Sequence, residues 1–287
     1  MSQAILVKKT YAKDFEKVYP LLVDFDAYSS AEWRKIFDYH WEGALDHVGY
    51  HLERQGEIVG FMGLIFSCRH RNAVKYQFCN ITSLIVKPEF RAATLLLLRR
   101  LKAYENTIFT GLAPIEESYR LLTRMGFVTF EKHHIILPVL NGLLCNKKNL
   151  SIYESEEMFK RLDVENQRIV LDHDNLNCKS ILFESKSESA LLVYSVSTQK
   201  HKGIRITKLH LRYISNLELF NEHLRGILNA FKVRFGLRSA IYIDRRFVSS
   251  HRKMLFLTKA TYPPKIRSKR FFDQVEIDEL YSEMVLL

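Results

Sequence analysis

The stretch ITSLIVKPEFRAATLLLLRRL, residues 81–101, decides the fold. Ile81–Val86 is rich in β-branched and apolar residues and reads as a strand, which Pro88 cannot extend because it has no N–H for the ladder. From Ala92 to Tyr104 the composition turns to Leu95–Leu98 and Leu101 among Arg99, Arg100 and Lys102, which are strong helix formers. A strand therefore turns through Lys87–Arg91 directly into a helix. Such a junction gathers unpaired backbone N–H groups and the positive end of a helix at one point, a setting that suits a pyrophosphate.

Working outward, Tyr50–Arg54, Glu57–Ser67 and Val74–Val86 read as strands broken at Gly56 and around His70–Asn72, the pattern of an antiparallel meander. Nearer the N-terminus come a short strand at Ile5–Lys8 and a helix over Asp14–Leu22, interrupted near Pro20. A second helix is capped by Ser29 or Ser30, with Trp33, Phe37 and Trp41 recurring on one face as core or as a substrate-facing wall. On the other side, Asn106–Gly111 is a strand, Ile115–Met125 a helix closed by Gly126, and Phe127–Leu137 a final strand.

The whole chain has 287 residues, enough for two domains at roughly 150 residues each. Residues 138–150, PVLNGLLCNKKNL, carry Pro, Gly and a polar run. The pattern then starts again. Ser155 caps a helix through Phe159 and Leu162, and strands follow at Ser180–Glu184, Ala190–Ser197 and Ile204–Ile214. A long helix at Leu217–Phe235 with Gly236 behind it leads to strands at Ala240–Asp244 and near Met254–Thr261. We read a mixed α/β (α+β, mixed-sheet) chain with a domain at 1–140, a linker at 141–150 and a second domain at 151–287 that repeats the element order of the first.

Composition narrows the function classes. Hydrophobic residues make up 47% and charged residues 26%, the balance of a folded protein, and no apolar run reaches the 18 or so residues of a membrane span. The start MSQAILVKKTYAKDF meets charge before a signal-like core can form, which predicts a cytoplasmic protein. Cys68, Cys79, Cys145 and Cys178 are widely spaced without C-x-x-C, indicating reduced thiols and neither a zinc site nor a disulfide frame. The net charge of +11 is uneven: residues 1–140 carry 18 Lys+Arg against 15 Asp+Glu, residues 141–287 carry 25 against 17. That surplus favours an anionic partner of some kind. The densest cluster, Lys265, Arg267, Lys269 and Arg270 followed by Phe271 and Phe272, reads as a solvated face or as a nucleic-acid contact.

Residues 81–127 carry a resemblance. Val86, Pro88 and Arg91 at the strand-to-helix turn, with Gly126–Phe127 closing the later helix, resemble the GNAT family of Gcn5-related, acyl-CoA-dependent N-acyltransferases, and the element order over residues 4–137 is similar to that family's. The resemblance implies that a strand-edge N–H near Leu84, Ile85 and Val86 holds the thioester carbonyl. It further implies that Arg91, Ala92, Ala93, Thr94, Leu95 and Leu96 form the turn that takes the pyrophosphate of acetyl-CoA or another acyl-CoA, with no metal. The family's loop has small residues where Thr94 and Leu96 stand, and glycine there lets backbone approach phosphate closely. Many members also carry a Tyr acid at the position of Leu122. Tyr119, one turn earlier, either substitutes for it or packs at the surface. His133 and His134, in the strand after Gly126–Phe127, are candidate bases, since an unperturbed His titrates near pH 6.5. The run Asp172–His173–Asp174 with Cys178 has no standard metal spacing and reads as loop. These residues imply an N-acyltransferase acting on a small-molecule or other amine-bearing acceptor, with no nucleic-acid partner and no membrane span. The alternatives are a GNAT-fold scaffold whose donor site is lost and, further off, a nucleic-acid-binding protein. The second half resembles a degenerate copy of the same fold, since Glu218 and Glu222 oppose an anion at its equivalent helix.

Overall fold

A computed structural model of the chain describes residues 4–23, 28–71, 74–143, 150–186, 188–201, 203–249, 254–269 and 276–287. It divides into two compact units: the first is Met1–Phe130 with Lys265–Ile277 and Tyr281–Leu287, the second Glu131–Pro264 with Asp278–Leu280. The change of unit thus falls inside a strand, at residue 130, and not at 141–150, where residues 144–149 lie outside the described residues. Contacts far apart in sequence set these limits: the segment after residue 264 rejoins the first unit.

The first unit runs β1 (Leu6–Thr10), α1 (Phe15–Leu22), α2 (Ser30–Asp38), β2 (Gly49–Arg54), β3 (Glu57–Arg71), β4 (Val74–Val86), α3 (Thr94–Leu98), β5 (Thr107–Gly111), α4 (Glu116–Arg124) and the start of β6 (Val128–Pro138). Strands β1 to β4 pair antiparallel in sequence order, and β5 lies parallel to β4. A capping box starts α2: the Glu32 N–H donates to Ser29 Oγ (3.3 Å) and the Ser29 N–H to Glu32 Oε2 (2.7 Å). Trp33 and Phe37 are buried on it, whereas Trp41 lies beyond its end, 5.1 Å from the Tyr281 ring. Gly126 at φ +92° ends α4, with the Gly126 N–H on the Thr123 carbonyl (3.0 Å) and the Phe127 N–H on that of Leu122 (3.1 Å).

The unit is layered. Leu52, Leu64, Phe66, Cys79 and Phe109 pack one sheet face against Leu97, Leu98, Leu101 and Leu122 of the α3 and α4 side. On the other face Phe15 meets Phe37 edge-on at 5.0 Å and Phe37 stacks on Phe61 at 5.6 Å, holding α1 and α2 down. Each fully buried phenylalanine contributes ~1.5–3 kcal/mol. The helix expected over Ala92–Tyr104 is α-helical only at Thr94–Leu98 and is flanked by 3-10 turns at Pro88–Ala93 and Arg99–Ala103. Arg91's carbonyl is held by both the N–H and the hydroxyl of Thr94 (2.8 Å), an i+3 pattern that tightens the turn.

The second unit continues β6 and adds β7 (Ser151–Tyr153), α5 (Ser155–Arg161), α6 (Val164–His173), β8 (Lys179–Ser185), β9 (Glu188–His201), β10 (Ile204–Ile214), α7 (Leu217–Glu222), α8 (Leu224–Phe235), β11 (Ser239–Asp244) and most of β12 (Leu257–Arg267). Strands β7 to β10 again pair antiparallel in order, β11 again lies parallel to β10, and β6 pairs antiparallel with β11. The core sets Leu192, Tyr194, Leu209 and Ile241 against Phe220, Ile227, Leu228 and Phe231. The long helix expected over Leu217–Phe235 breaks at His223 (φ −100°, ψ 14°), where the Asn221 amide turns to bond the carbonyls of Leu217 (2.8 Å) and Phe247 (3.0 Å). Ser155 does not cap α5: it sits at φ +52° after Glu154, the N-cap residue. Helix α6 was not expected; Asp163 caps it by accepting the Asn166 N–H (2.8 Å). The chain then returns to the first unit, where Ile266 and Arg267 of β12 pair with Gly111 and Thr110 and where α9 (Glu283–Leu286) lies.

Candidate active site

In the first unit β4 and β5 are paired only from Gln77–Thr107 to Asn80–Thr110. β4 nevertheless continues through Ile81 to Val86, so its β5-facing edge over those residues has no ladder partner in β5. A bulge steers it. Thr82 faces Gly63 and Ile85 faces Phe61, so Ser83 and Leu84 together oppose Met62 alone, and Ser83 takes the left-handed φ of +50°. Gly63 is needed opposite: a Cβ there would stand 2.8 Å from the Thr82 methyl.

The splay opens a cavity of about 230 Å³. Ile81, Thr82, Ser83 and Leu84 form one side, and Gly111, Ala113, Pro114 and Ile115 after β5 form another. Ser118 and Leu122 of α4, Tyr28 just before α2, Trp33 within it, and Glu283, Met284 and Leu287 complete the lining. Tyr28 and Trp33 meet edge-on at 5.3 Å. Glu283 is the one charged residue of that lining and is only 8% exposed. Asn80, at the last β4–β5 rung, is 2% exposed, and neither its amide oxygen nor its amide nitrogen has a hydrogen-bond partner among the described residues.

The residues singled out from sequence separate into two groups. Leu84 lines the cavity and Ile85 and Val86 follow it along the same strand, where Val86 faces Gly60 of β3. Arg91 and Ala92 are exposed on the 3-10 turn that follows, Ala93 and Thr94 are buried beneath it, and Leu95 is 48% exposed. Leu96 packs against the apolar core, so its bulk is turned inward rather than left at the turn. Leu122 lines the cavity, but Tyr119 does not. Its hydroxyl is 3.0 Å from Thr129 Oγ1, and its ring packs on the core.

His133 and His134 belong to the second unit and are not among the cavity residues. The His133 N–H and that of Lys132 donate to Glu131 Oε1 (2.8 and 2.7 Å), while the Arg246 N–H donates to Oε2 (3.1 Å). His134 Nδ1 is 3.4 Å from Thr261 Oγ1, and its ring lies 5.9 Å from that of Tyr242, whose ring is also 5.1 Å from that of His210. Burial, reinforced by the neighbouring Arg212, pushes His210 down to about 4. His173 ends α6 with Nδ1 on the Ile169 carbonyl (2.8 Å). Among the described residues no group of three or more His, Cys, Asp or Glu side chains could hold a metal ion. Arg270, Phe271 and Phe272 of the basic cluster lie outside the described residues. Lys265 and Arg267 are buried.

The second unit repeats the bulge. Leu211 faces Tyr194 and Tyr213 faces Val193, leaving Arg212 as the extra residue just past the last β10–β11 pair, His210–Tyr242. Here the chain itself fills the place: the Glu279 N–H donates to the Arg212 carbonyl (3.1 Å), the Glu279 carboxylate pairs with the Arg212 guanidinium, and Arg212 Nε donates to Ser195 Oγ (3.1 Å). Burial raises the nearby Cys178 thiol to about 11.

No protein-family model matches the chain, and no curated protein matches its sequence. Solved structures do. A GCN5-related N-acetyltransferase from Anabaena variabilis aligns with a TM-score of 0.62 at 11% identity, covering 92% of this chain and 72% of that one. Another from Kribbella flavida gives 0.57 at 10%, covering 93% and 71%, and Eis1 from Mycobacterium abscessus gives 0.52 at 12%, covering 92% and 73%. The chain has the GNAT fold. At these identities the likeness is one of fold.

Proposed function

We propose that the chain is an acyl-CoA-dependent N-acyltransferase whose donor lies in the splay between β4 and β5 of the first unit. The observation that carries this is the combination of the Ser83–Leu84 bulge, the β5-facing edge of Ile81–Val86 and the cavity beside them. An extended pantetheine bonds to a strand edge as a further strand does, and an N–H near Leu84–Val86 that donates to the thioester carbonyl also stabilises the oxyanion formed on attack. Arg91, exposed where β4 ends, meets the donor phosphates. Acetyl-CoA or a longer acyl-CoA supplies the acyl group. Holding the amine beside the carbonyl supplies much of the remaining acceleration.

The second unit is proposed as a copy of the first that takes no donor. Its topology and bulge repeat, but Glu279 occupies the edge of β10 that a pantetheine would need. A cytoplasmic setting belongs to the same reading and rests on Cys68, Cys79 and Cys178 standing as thiols rather than in disulfides. Among the described residues no helix is long and apolar enough to cross a membrane.

Thermal unfolding with acetyl-CoA tests the assignment: a donor at 100 times its Kd adds about 2.7 kcal/mol to native stability. Calorimetry should return one donor per chain. No stabilisation by any acyl-CoA leaves the scaffold alternative, for which Leu122 in the place of an acid already speaks.

A further inference from the structure

We propose that Arg54, seated on the Phe90 ring, binds the 3′-phosphate of the donor's ribose and so selects full CoA thioesters over donors that lack this group. This rests on the donor reading above. Tyr50 and Leu52 of β2 belong to the core that packs against α3. The extra residue of the nearby bulge is Val59 of β3, so β2 keeps its alternation and Arg54 emerges on that same face. There its guanidinium carbon stands 5.2 Å from the centre of the Phe90 ring, a cation–π contact. Phe90 belongs to the turn Pro88–Ala93, in which its neighbour Arg91 is exposed. An arginine from β2 and one from the turn after β4 are thus gathered at one place.

Arg54 lacks a counter-charge. It stands between Glu53 and Glu57, but Glu53 is paired with Lys8 (2.6 Å) and Glu57 with Lys87. Among the described residues Arg54 makes no ion pair, and its Nε is buried with no hydrogen-bond partner. A phosphate supplies acceptors for such a fork in the geometry it needs. The side chain is also held in place. Gln55 and Gly56, which join β2 to β3, both have left-handed φ (+54° and +79°), the tight hairpin turn that matches strand twist. The donor's diphosphate has its own takers in Arg91 and the N–H groups of the turn. β2 lies two strands from β4, about 10 Å away at roughly 4.8 Å per strand, so Arg54 comes to the turn from a different side. The phosphate left for it is the one that the ribose sets apart, a monoester with a charge of about −1.5 to −2 at pH 7.

Calorimetry with acetyl-CoA and with its 3′-dephospho form tests this, the ratio of the two affinities being the readout. The wild-type chain should bind acetyl-CoA about 10- to 100-fold more tightly than the dephospho form. Arg54→Gln should bring that ratio close to one by weakening acetyl-CoA alone, and its binding of the dephospho form shows that the variant is folded. Arg54→Lys, which keeps the charge without the planar fork, should retain part of the preference. Arg91→Ala should weaken both ligands alike, since both carry the diphosphate. If the wild-type chain does not distinguish the two ligands, if Arg54→Gln keeps the full preference, or if it weakens both equally, the 3′-phosphate proposal falls and the donor reading stands. If acetyl-CoA does not bind the wild-type chain, both fall.

Discussion

Asn80→Leu separates what the fold needs from what the site needs. The side chain is 2% exposed, and both its amide oxygen and its amide nitrogen are buried without a hydrogen-bond partner among the described residues. An orphaned buried donor or acceptor costs roughly 1–3 kcal/mol, whereas an apolar group of the same shape carries no such penalty. Leucine is close to isosteric with asparagine, so the exchange should stabilise the unliganded chain by about 1–3 kcal/mol. At ~2–4 °C per kcal/mol this raises the melting temperature by about 2–12 °C. Asn80 stands one residue before Ile81 and opposite Thr110, one residue before Gly111, and both Ile81 and Gly111 line the cavity. A polar side chain kept at that cost beside a ligand cavity is the pattern of a stability–activity trade-off. The variant should therefore gain stability and lose acyl transfer, read by differential scanning calorimetry and CoA release on the same preparation. A fall in melting temperature would show that the amide already has a partner, and unchanged turnover would remove Asn80 from the site.

Arg91→Ala should weaken acetyl-CoA binding about 10- to 100-fold, the loss of one charged phosphate contact worth ~1.5–3 kcal/mol, with the melting temperature unchanged, by calorimetry. Glu131→Gln leaves Oε1 to the N–H groups of Lys132 and His133 but turns an NH₂ toward the Arg246 N–H, so it should destabilise by roughly 1–3 kcal/mol in urea unfolding. His210 has its pKa depressed to about 4 from 6.5, so between these values the unfolded chain binds a proton that the folded chain does not. Its contribution to stability is whole above pH 6.5 and is lost as pH falls toward 4, at up to ~1.4 kcal/mol per pH unit. His210→Gln should flatten that acid limb, and an unchanged limb would mean that the imidazole charges freely. Duplex DNA, single-stranded DNA and structured RNA should bind with Kd no tighter than about 10⁻⁶ M near physiological salt and be released as salt rises. Nanomolar, sequence-selective binding to any of them would overturn this.

The elements that sequence announced well are those whose cause is local. The meander shows in strand runs broken at Gly56, α2 in the Ser29–Glu32 capping box and α4 in Gly126, since each signal and its effect lie within a few residues. α6 had such a signal too, because Asp163 stands three residues before Asn166 as a cap, but the Asn-rich run after it carries the composition of a loop. The bulge at Ser83 left no local mark: it exists because Gly63, twenty residues away, lets β4 come close. Glu283 could not be found at all from pattern, since it is brought to Thr82 and Trp33 only by a chain that leaves the first unit and returns. Tyr119 was the nearest phenol to the expected acid position in sequence, yet the face of α4 that meets the cavity carries Ser118 and Leu122, and the Tyr119 hydroxyl is engaged with Thr129.

On the proposed reading, proton magnitudes explain why a leucine at residue 122 does not by itself end the chemistry. A primary amine with a pKa near 10.4 is neutral in only about one molecule in 2,500 at pH 7, so freeing its lone pair costs about 4.6 kcal/mol of the barrier. A thiol with a pKa near 8.5 differs from pH 7 by about 1.5 units, so protonating the departing thiolate is worth only about 2 kcal/mol. The demand for a proton acceptor at the amine therefore exceeds the demand for a donor at sulfur by more than a factor of two in free energy. A thiolate can leave unassisted and be protonated afterwards. Installing a phenol at the cavity by Leu122→Tyr should then raise kcat only modestly over Leu122→Phe, which matches its ring without the hydroxyl. A gain from the phenol well above about 30-fold, the equivalent of those 2 kcal/mol, would reverse this order and make the missing acid, not the acceptor's proton, the limiting feature of the site.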